Sequence, residues 1–233
     1  MVTGATRGIG RAIAQALARA GARVTICGRT AETVEQAVAE LRAATEGSIL
    51  GQAADVSNWH DVRSFFDFVE RQTGGLDILI NNAGLGIFRS VADLEPEEWR
   101  RQIDLNLSGV YYCCRQAVPL MRRRSGGYII QISSLAGKNA FAGGAAYNAS
   151  KFGVNGFSEA IMQDLRYENI RVSYIMPGSV DTDFSPSTPR TSTQRSTWKI
   201  QPEDVAQVVL NLLQMPDRTL VSRVEMRPSR PAK

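Results

Sequence analysis

The chain has 233 residues, 43% hydrophobic and 21% charged, an ordinary globular composition with enough apolar content for a sizeable core. A net charge of +4 is modest for a nucleic-acid binder, and no apolar run reaches the ~18 residues of a membrane span. No charged-then-apolar leader opens the sequence, so cytoplasmic residence is the expectation.

In chain order, Met1-Val2-Thr3 leaves almost no strand ahead of a glycine-rich turn, Thr3-Gly4-Ala5-Thr6-Arg7-Gly8-Ile9-Gly10. Either the first strand is unusually short or upstream residues complete it. Gly4 allows a sharp turn. Gly8 and Gly10 remove side chains where backbone must approach a pyrophosphate, which would then face a helix N-terminus. The spacing is G-x-x-x-G-x-G, a weak signal alone.

Strand-like stretches follow at 23–27, 48–53, 76–80, 128–132, 171–176 and 219–226. Helical spacing occupies 11–20, 31–44, 59–72, 96–124, 147–167 and 202–213, with Pro96 and Pro202 suited to first-turn positions. Such alternation predicts an α/β fold: one domain over 1–233, a doubly wound parallel sheet with helices on both faces. Arg122, Arg123 and Arg124 read as a helix C-terminus complementing its own dipole. Cys27, Cys113 and Cys114 read as buried, reduced thiols, and with His60 as the lone histidine no metal is expected.

Chemistry concentrates at Tyr147-Asn148-Ala149-Ser150-Lys151, where four-residue spacing puts phenol and ammonium on one helix face. A lysine charge favours phenolate, so the tyrosine's pKa should fall and fit it for acid–base work. Thirteen residues earlier, Ser134 ends an apolar strand, at the sheet edge where ligands of parallel sheets collect. Its hydroxyl suits a substrate oxygen; Ser133 competes for that role at a spacing one residue too long.

With these residues in view, the chain resembles the short-chain dehydrogenase/reductase family from about Thr3 to Pro228. The resemblance implies a Rossmann-like fold and an oxidoreductase acting on CH–OH or C=O groups, with Ser134, Tyr147 and Lys151 catalytic. It adds Asn106 as a fourth catalytic position, distorting its helix and holding a water that links Lys151 to solvent. Asparagine in mid-helix is locally unfavourable, which agrees with a specific role. Asn81-Asn82-Ala83-Gly84 resembles the segment beside the adenosine half of a dinucleotide. Asp55-Val56 resembles the adenine-pocket pair, although Asp55, Ser57 or Asn58 is also placed to cap the next helix. Pro177-Gly178-Ser179-Val180-Asp181-Thr182 resembles the nicotinamide turn, with Thr182 on the carboxamide.

The second strand ends in Cys27-Gly28-Arg29, without the carboxylate that accepts from ribose hydroxyls in NAD-specific members. Arg29, joined by Arg7, offers donors to a 2′-phosphate, so the cofactor expected is NADP(H) and the direction carbonyl reduction. Exchanging Gly28→Asp with Arg29→Leu is expected to move preference toward NADH. A variable segment at 183–201, with Trp198 near its end, reads as a substrate lid. Leu85, Phe88, Leu135, Phe141 and Phe184 are candidate pocket walls or core residues, and as walls their apolar character points to a small-molecule carbonyl or alcohol substrate, a medium-sized ketone or aldehyde. A 3-oxoacyl thioester reductase is the alternative; its relatives usually carry a glycine-containing C-terminal segment that this chain lacks. A non-catalytic NADP-binding regulator is the third reading, opposed by the presence of all four catalytic positions. The resemblance also implies a homodimer or homotetramer, with Val110, Tyr111, Phe152 and Phe157 as candidate seam residues.

Overall fold

The computed structural model describes residues 1–184 and 196–231. Strand β1 (Val24–Gly28) pairs with β2 (Ile49–Ala53), while β3 (Ile78–Asn81), β4 (Gly127–Ile132), β5 (Ile170–Pro177) and β6 (Arg223–Met226) follow side by side. Every pairing is parallel. Val2 joins the two groups, bridging Ile26 on one side and Ile80 on the other. Its N–H donates to the Thr25 carbonyl at 2.9 Å, and the Thr3 N–H to that of Ile80 at 3.0 Å. The middle strand position is thus filled by a stub centred on Val2.

Helices cover both faces, so the inner strands are apolar almost without interruption; β4 is buried from Tyr128 through Ile132. On one face, α1 (Gly8–Arg19), α2 (Ala31–Thr45) and α7 (Pro202–Leu213) bury Ile13, Leu41 and Val209 against Ile26, Ile80 and Ile130. On the other, α3 (Trp59–Thr73), α5 (Gly109–Arg123) and α6 (Ala145–Leu165) bury Phe65, Met121 and Val154 against Leu79 and Ile129. Pro96 opens α4 (Pro96–Ile103) and Pro202 opens α7, each in the first turn, where a missing N–H leaves no bond unmade.

Two expectations change in detail. Helix α1 starts at Gly8, earlier than the apolar spacing indicated, because the last glycines of the turn form its first turn. The long helix expected at 96–124 is interrupted by a π-helical turn, Asp104–Ser108, whose buried residue is Asn106. The three arginines at the end of α5 do more than face a dipole. Arg122 donates to Glu168 at 2.7 Å, Arg123 pairs with Glu70 at 2.5 Å and Arg124 with Asp77 at 3.0 Å. Each pair is exposed and individually weak, but together they clasp α5 to three separate segments. All three cysteines are buried. Cys114 Sγ accepts from the Gln131 amide at 3.2 Å and the Asn81 amide at 3.4 Å.

Candidate active site

The parallel sheet brings the glycine turn, the β4 end and the start of α6 to one edge. Gly4 has φ +61°, and a Cβ there would stand 2.8 Å from Ala83 Cα. At Gly10 a Cβ would meet Asn82 Nδ2 at 2.4 Å and the Gly4 carbonyl at 2.6 Å. Any side chain would therefore force this turn away from the 82–83 backbone. Asn82 explains the tightness: its amide donates to the Thr3 and Gly4 carbonyls, both at 3.0 Å. Thr3 Oγ1 in turn accepts from the Asn82 and Ala83 N–H groups at 3.0 and 3.1 Å. Arg7, at the N-cap of α1, makes no side-chain cap, and no acid occupies the first turn. The opening N–H groups around Gly8, Ile9 and Gly10 are therefore suited to an anion.

Arg7 and Arg29 are both exposed, and neither forms an ion pair among the described residues. Arg11, by contrast, is taken by Glu40 at 2.7 Å. A cavity of about 230 Å³ beside the turn is lined by Thr6, Arg7 and Thr33, among others. A Cβ at Gly28 would lie 2.6 Å from Thr6 Cγ2, so the aspartate exchange requires the Thr6 side chain to shift. Asn58 caps α3, accepting from His60 and Asp61 N–H groups. Asp55 instead accepts from the Ser57 N–H at 2.9 Å and hydroxyl at 2.7 Å, and Val56 is buried.

Tyr147 is only 8% exposed, and the Ser134 hydroxyl lies close enough to act on its phenol. Burial pushes the Tyr147 phenol up to about 12, and the Ser134 hydroxyl opposes it. This reverses the direction expected from Lys151. The lysine Nζ lies 5.8 Å from the centre of the tyrosine ring and donates to the Ile132 carbonyl at 3.1 Å. Burial also brings Lys151 down to about 8, weakening the charge that was to favour phenolate. Ser133, the competing serine, donates its hydroxyl to Asn155 Oδ1 at 2.5 Å.

Asn106 is fully buried and doubly bound to Leu85: Oδ1 accepts from its N–H, and Nδ2 donates to its carbonyl, both at 2.8 Å. Nδ2 also donates to Ser150 Oγ at 3.0 Å, so both amide hydrogens are committed. Gln102, one turn earlier and equally buried, accepts from the Ile87 N–H at 2.9 Å. Sequence reading missed Gln102 and Asn155, which donates to the Gly137 carbonyl at 2.9 Å. The available signal was a polar residue on an otherwise buried helix stripe, one turn from Asn106 or from Lys151.

The 177–182 turn closes the group. The Gly178 N–H donates to Met226 at 2.8 Å, and Val180 bridges Ile200. Thr182 stands over the glycine turn, its Cγ2 3.3 Å from where a Gly8 Cβ would lie. Phe184 reaches Tyr147, with ring centres 5.7 Å apart. Much of the expected lid, 185–195, lies outside the described residues, while Trp198 beyond it carries Lys199 over its ring at 5.7 Å.

The model of the short chain dehydrogenase family matches residues 1–193. The chain belongs to the short-chain dehydrogenase family. An oxidoreductase of Staphylococcus aureus is 32% identical, covering 98% of this short-chain dehydrogenase and 96% of the relative. A 3beta-hydroxysteroid dehydrogenase of Mediterraneibacter gnavus is 40% identical over 79% of the chain and 67% of its own. Among solved structures, a metagenomic short-chain oxidoreductase in complex with NADP is 38% identical at a TM-score of 0.84, covering 99% and 96%. An alcohol dehydrogenase from the archaeon Thermococcus sibiricus, complexed with 5-hydroxy-NADP, is 28% identical at a TM-score of 0.90, covering 100% and 97%. The parallel sheet flanked by helices in this short-chain dehydrogenase matches those neighbours.

Proposed function

We propose that this short-chain dehydrogenase is an NADP(H)-dependent oxidoreductase acting on a carbonyl or alcohol carbon, with Tyr147 as acid–base. The observation that carries the reading is the buried Tyr147 beside the half-buried Ser134, with Lys151 behind it, at the C-terminal edge of the parallel sheet. The cofactor's fit is supported by the side-chain-free turn at Gly4, Gly8 and Gly10 and by the uncapped start of α1. Thr6, Arg7, Ile9 and Arg29 belong to its phosphate end. Asp55, Val56, Ala83 and Gly84 would line the adenosine side, with Asn82 bracing the turn from behind. Pro177, Gly178, Val180 and Thr182 would face the nicotinamide, alongside Tyr147 and Lys151. The solved relatives holding NADP lend this assignment weight.

When bound, NADP(H) supplies or accepts the hydride. Ser134 holds the substrate oxygen, and Tyr147, protonated at neutral pH, donates to it during reduction. In the reverse direction Tyr147 must lose a proton that burial makes it keep, so oxidation should be favoured by alkaline solution. Lys151 supplies positive charge near the phenol at neutral pH and less as pH rises past about 8. Asn106 acts as a positioning residue, because its amide hydrogens are already given to Leu85 and Ser150.

The test is carbonyl-dependent oxidation of NADPH and NADH, with a 3-oxoacyl thioester as the competing substrate. Replacing Arg7 and Arg29 by Ala should lower the NADPH-to-NADH ratio of kcat/KM by about tenfold or more, the scale of one charge-assisted bond. An unchanged ratio would sink the NADP assignment.

A homo-oligomer is also proposed, paired through α5 and α6. Tyr111 and Phe152 are 45% and 46% exposed there, whereas Val110 is buried and faces the core. Light scattering at micromolar concentration should give a multiple of the chain mass; a monomer mass refutes the pairing.

A further inference from the structure

We propose that the site selects a neutral, ring-bearing ketone, or the matching alcohol, over open-chain and anionic ones. This rests on reading Tyr147 as the acid–base. Phe88 meets the Tyr147 ring edge-on with 5.5 Å between centres, and Phe184 meets the same ring at 5.7 Å. Phe141 extends the group, 5.6 Å from Phe88. The reacting phenol is therefore approached across aromatic surface.

The arrangement is held in place from behind. A Cβ at Gly86 would stand 2.6 Å from Phe184 Cε1 and 2.8 Å from Phe88 Cζ, so a bare backbone makes room for both rings. Buried Gln102 and Asn106 bind the N–H groups of Ile87 and Leu85, which pins the segment leading to Phe88. Aromatic rings in edge-on contact are replaced best by another ring. A substrate reaching Ser134 and Tyr147 must share or take the place of Phe184 against them. A rigid ring restores those contacts and freezes few rotors; a flexible chain loses its own entropy and covers the faces less completely.

Charge argues against anions. Among the described residues, Arg89, next to Phe88 in the chain, is already paired with Glu98 at 2.9 Å, and Lys138 is paired with Glu225, which leaves the buried Lys151 committed to the Ile132 carbonyl. Asp183, exposed beside Phe184, adds a carboxylate of the wrong sign for an anionic substrate.

The experiment compares acetophenone, 2-octanone and 4-acetylbenzoate as NADPH-dependent substrates, and follows acetophenone ring protons by saturation-transfer NMR with NADP-loaded protein. The kcat/KM for acetophenone should exceed that for 2-octanone by about tenfold and that for 4-acetylbenzoate by about a hundredfold. Phe88→Leu keeps the wall apolar but removes a ring, and should cut the first advantage below about threefold. Equal rates for the two neutral ketones, ready turnover of the carboxylate, or an undiminished advantage in Phe88→Leu overturns the proposal. Ring-proton transfer without turnover of any ketone would support the ring site while refuting the oxidoreductase reading. Turnover without ring preference does the reverse. Neither turnover nor transfer refutes both.

Discussion

Replacing Tyr147 by Phe is expected to lower kcat by about 10²–10⁴ while NADPH still binds, because the change deletes one hydroxyl and leaves the ring among Phe88 and Phe184. That range corresponds to about 3–5 kcal/mol of transition-state stabilisation, the size expected when a positioned proton donor is lost. Ser134 would keep its bond from the Ala136 N–H at 3.1 Å, so the substrate-side geometry should persist. Wild-type reduction should vary little between about pH 6 and 8, since a phenol raised to about 12 stays protonated throughout. Stopped-flow measurement of the chemical step, beside a fluorescence titration of NADPH, checks both halves. Near-normal turnover in the variant would remove Tyr147 from the mechanism.

Lys151→Met carries the second large effect, and its two consequences have opposite signs. Activity should fall by at least about 10², because a buried cation beside the reacting phenol is gone. Stability at neutral pH should rise. Burial lowers folded Lys151 from 10.5 to about 8, which at 1.36 kcal/mol per pKa step amounts to roughly 3 kcal/mol. The variant leaves the Ile132 carbonyl without its donor, at a cost of about 1 kcal/mol, so the net gain is roughly 2 kcal/mol. Between pH 8 and 10.5 the unfolded chain holds a proton that the folded chain has released. The Lys151 contribution to wild-type stability therefore climbs with pH over that window, whereas the buried thiols act in the opposite sense in both proteins, so it is the variant's advantage that should fade. Urea unfolding at pH 7 and at pH 10.5 measures this; a variant less stable than wild type at pH 7 contradicts it. The result would mark Lys151 as a residue kept for chemistry at a cost in stability.

Some of this was legible in the chain, for identifiable reasons. Strand and helix alternation was readable because a strand covered on both faces must be apolar throughout, as Tyr128 to Ile132 are. The Tyr147–Lys151 pair was readable because helical repeat alone places residues four apart on one face. Ser134 could be separated from Ser133 only by spacing, while the Ser133–Asn155 bond depends on a residue 22 positions away. Asn106 was visible as a misfit in a helix. Its partners at Leu85 and Ser150 were not, since they lie 21 and 44 residues away in sequence.

Sequence by itself thus determined the layer architecture, the family and the helix face that Tyr147 shares with Lys151, all of which follow from local periodicity and fixed spacing. Tertiary structure decided what depends on distant atoms converging. It filled the middle of the sheet with the Val2 stub and packed the Thr6 methyl against Gly28. It also reversed the pKa expected of Tyr147. Spacing guarantees that a lysine shares its helix face, but burial decides how much charge that lysine keeps and how strongly the phenol holds its proton. Desolvation is a property of everything packed around a group, and no stretch of sequence carries it.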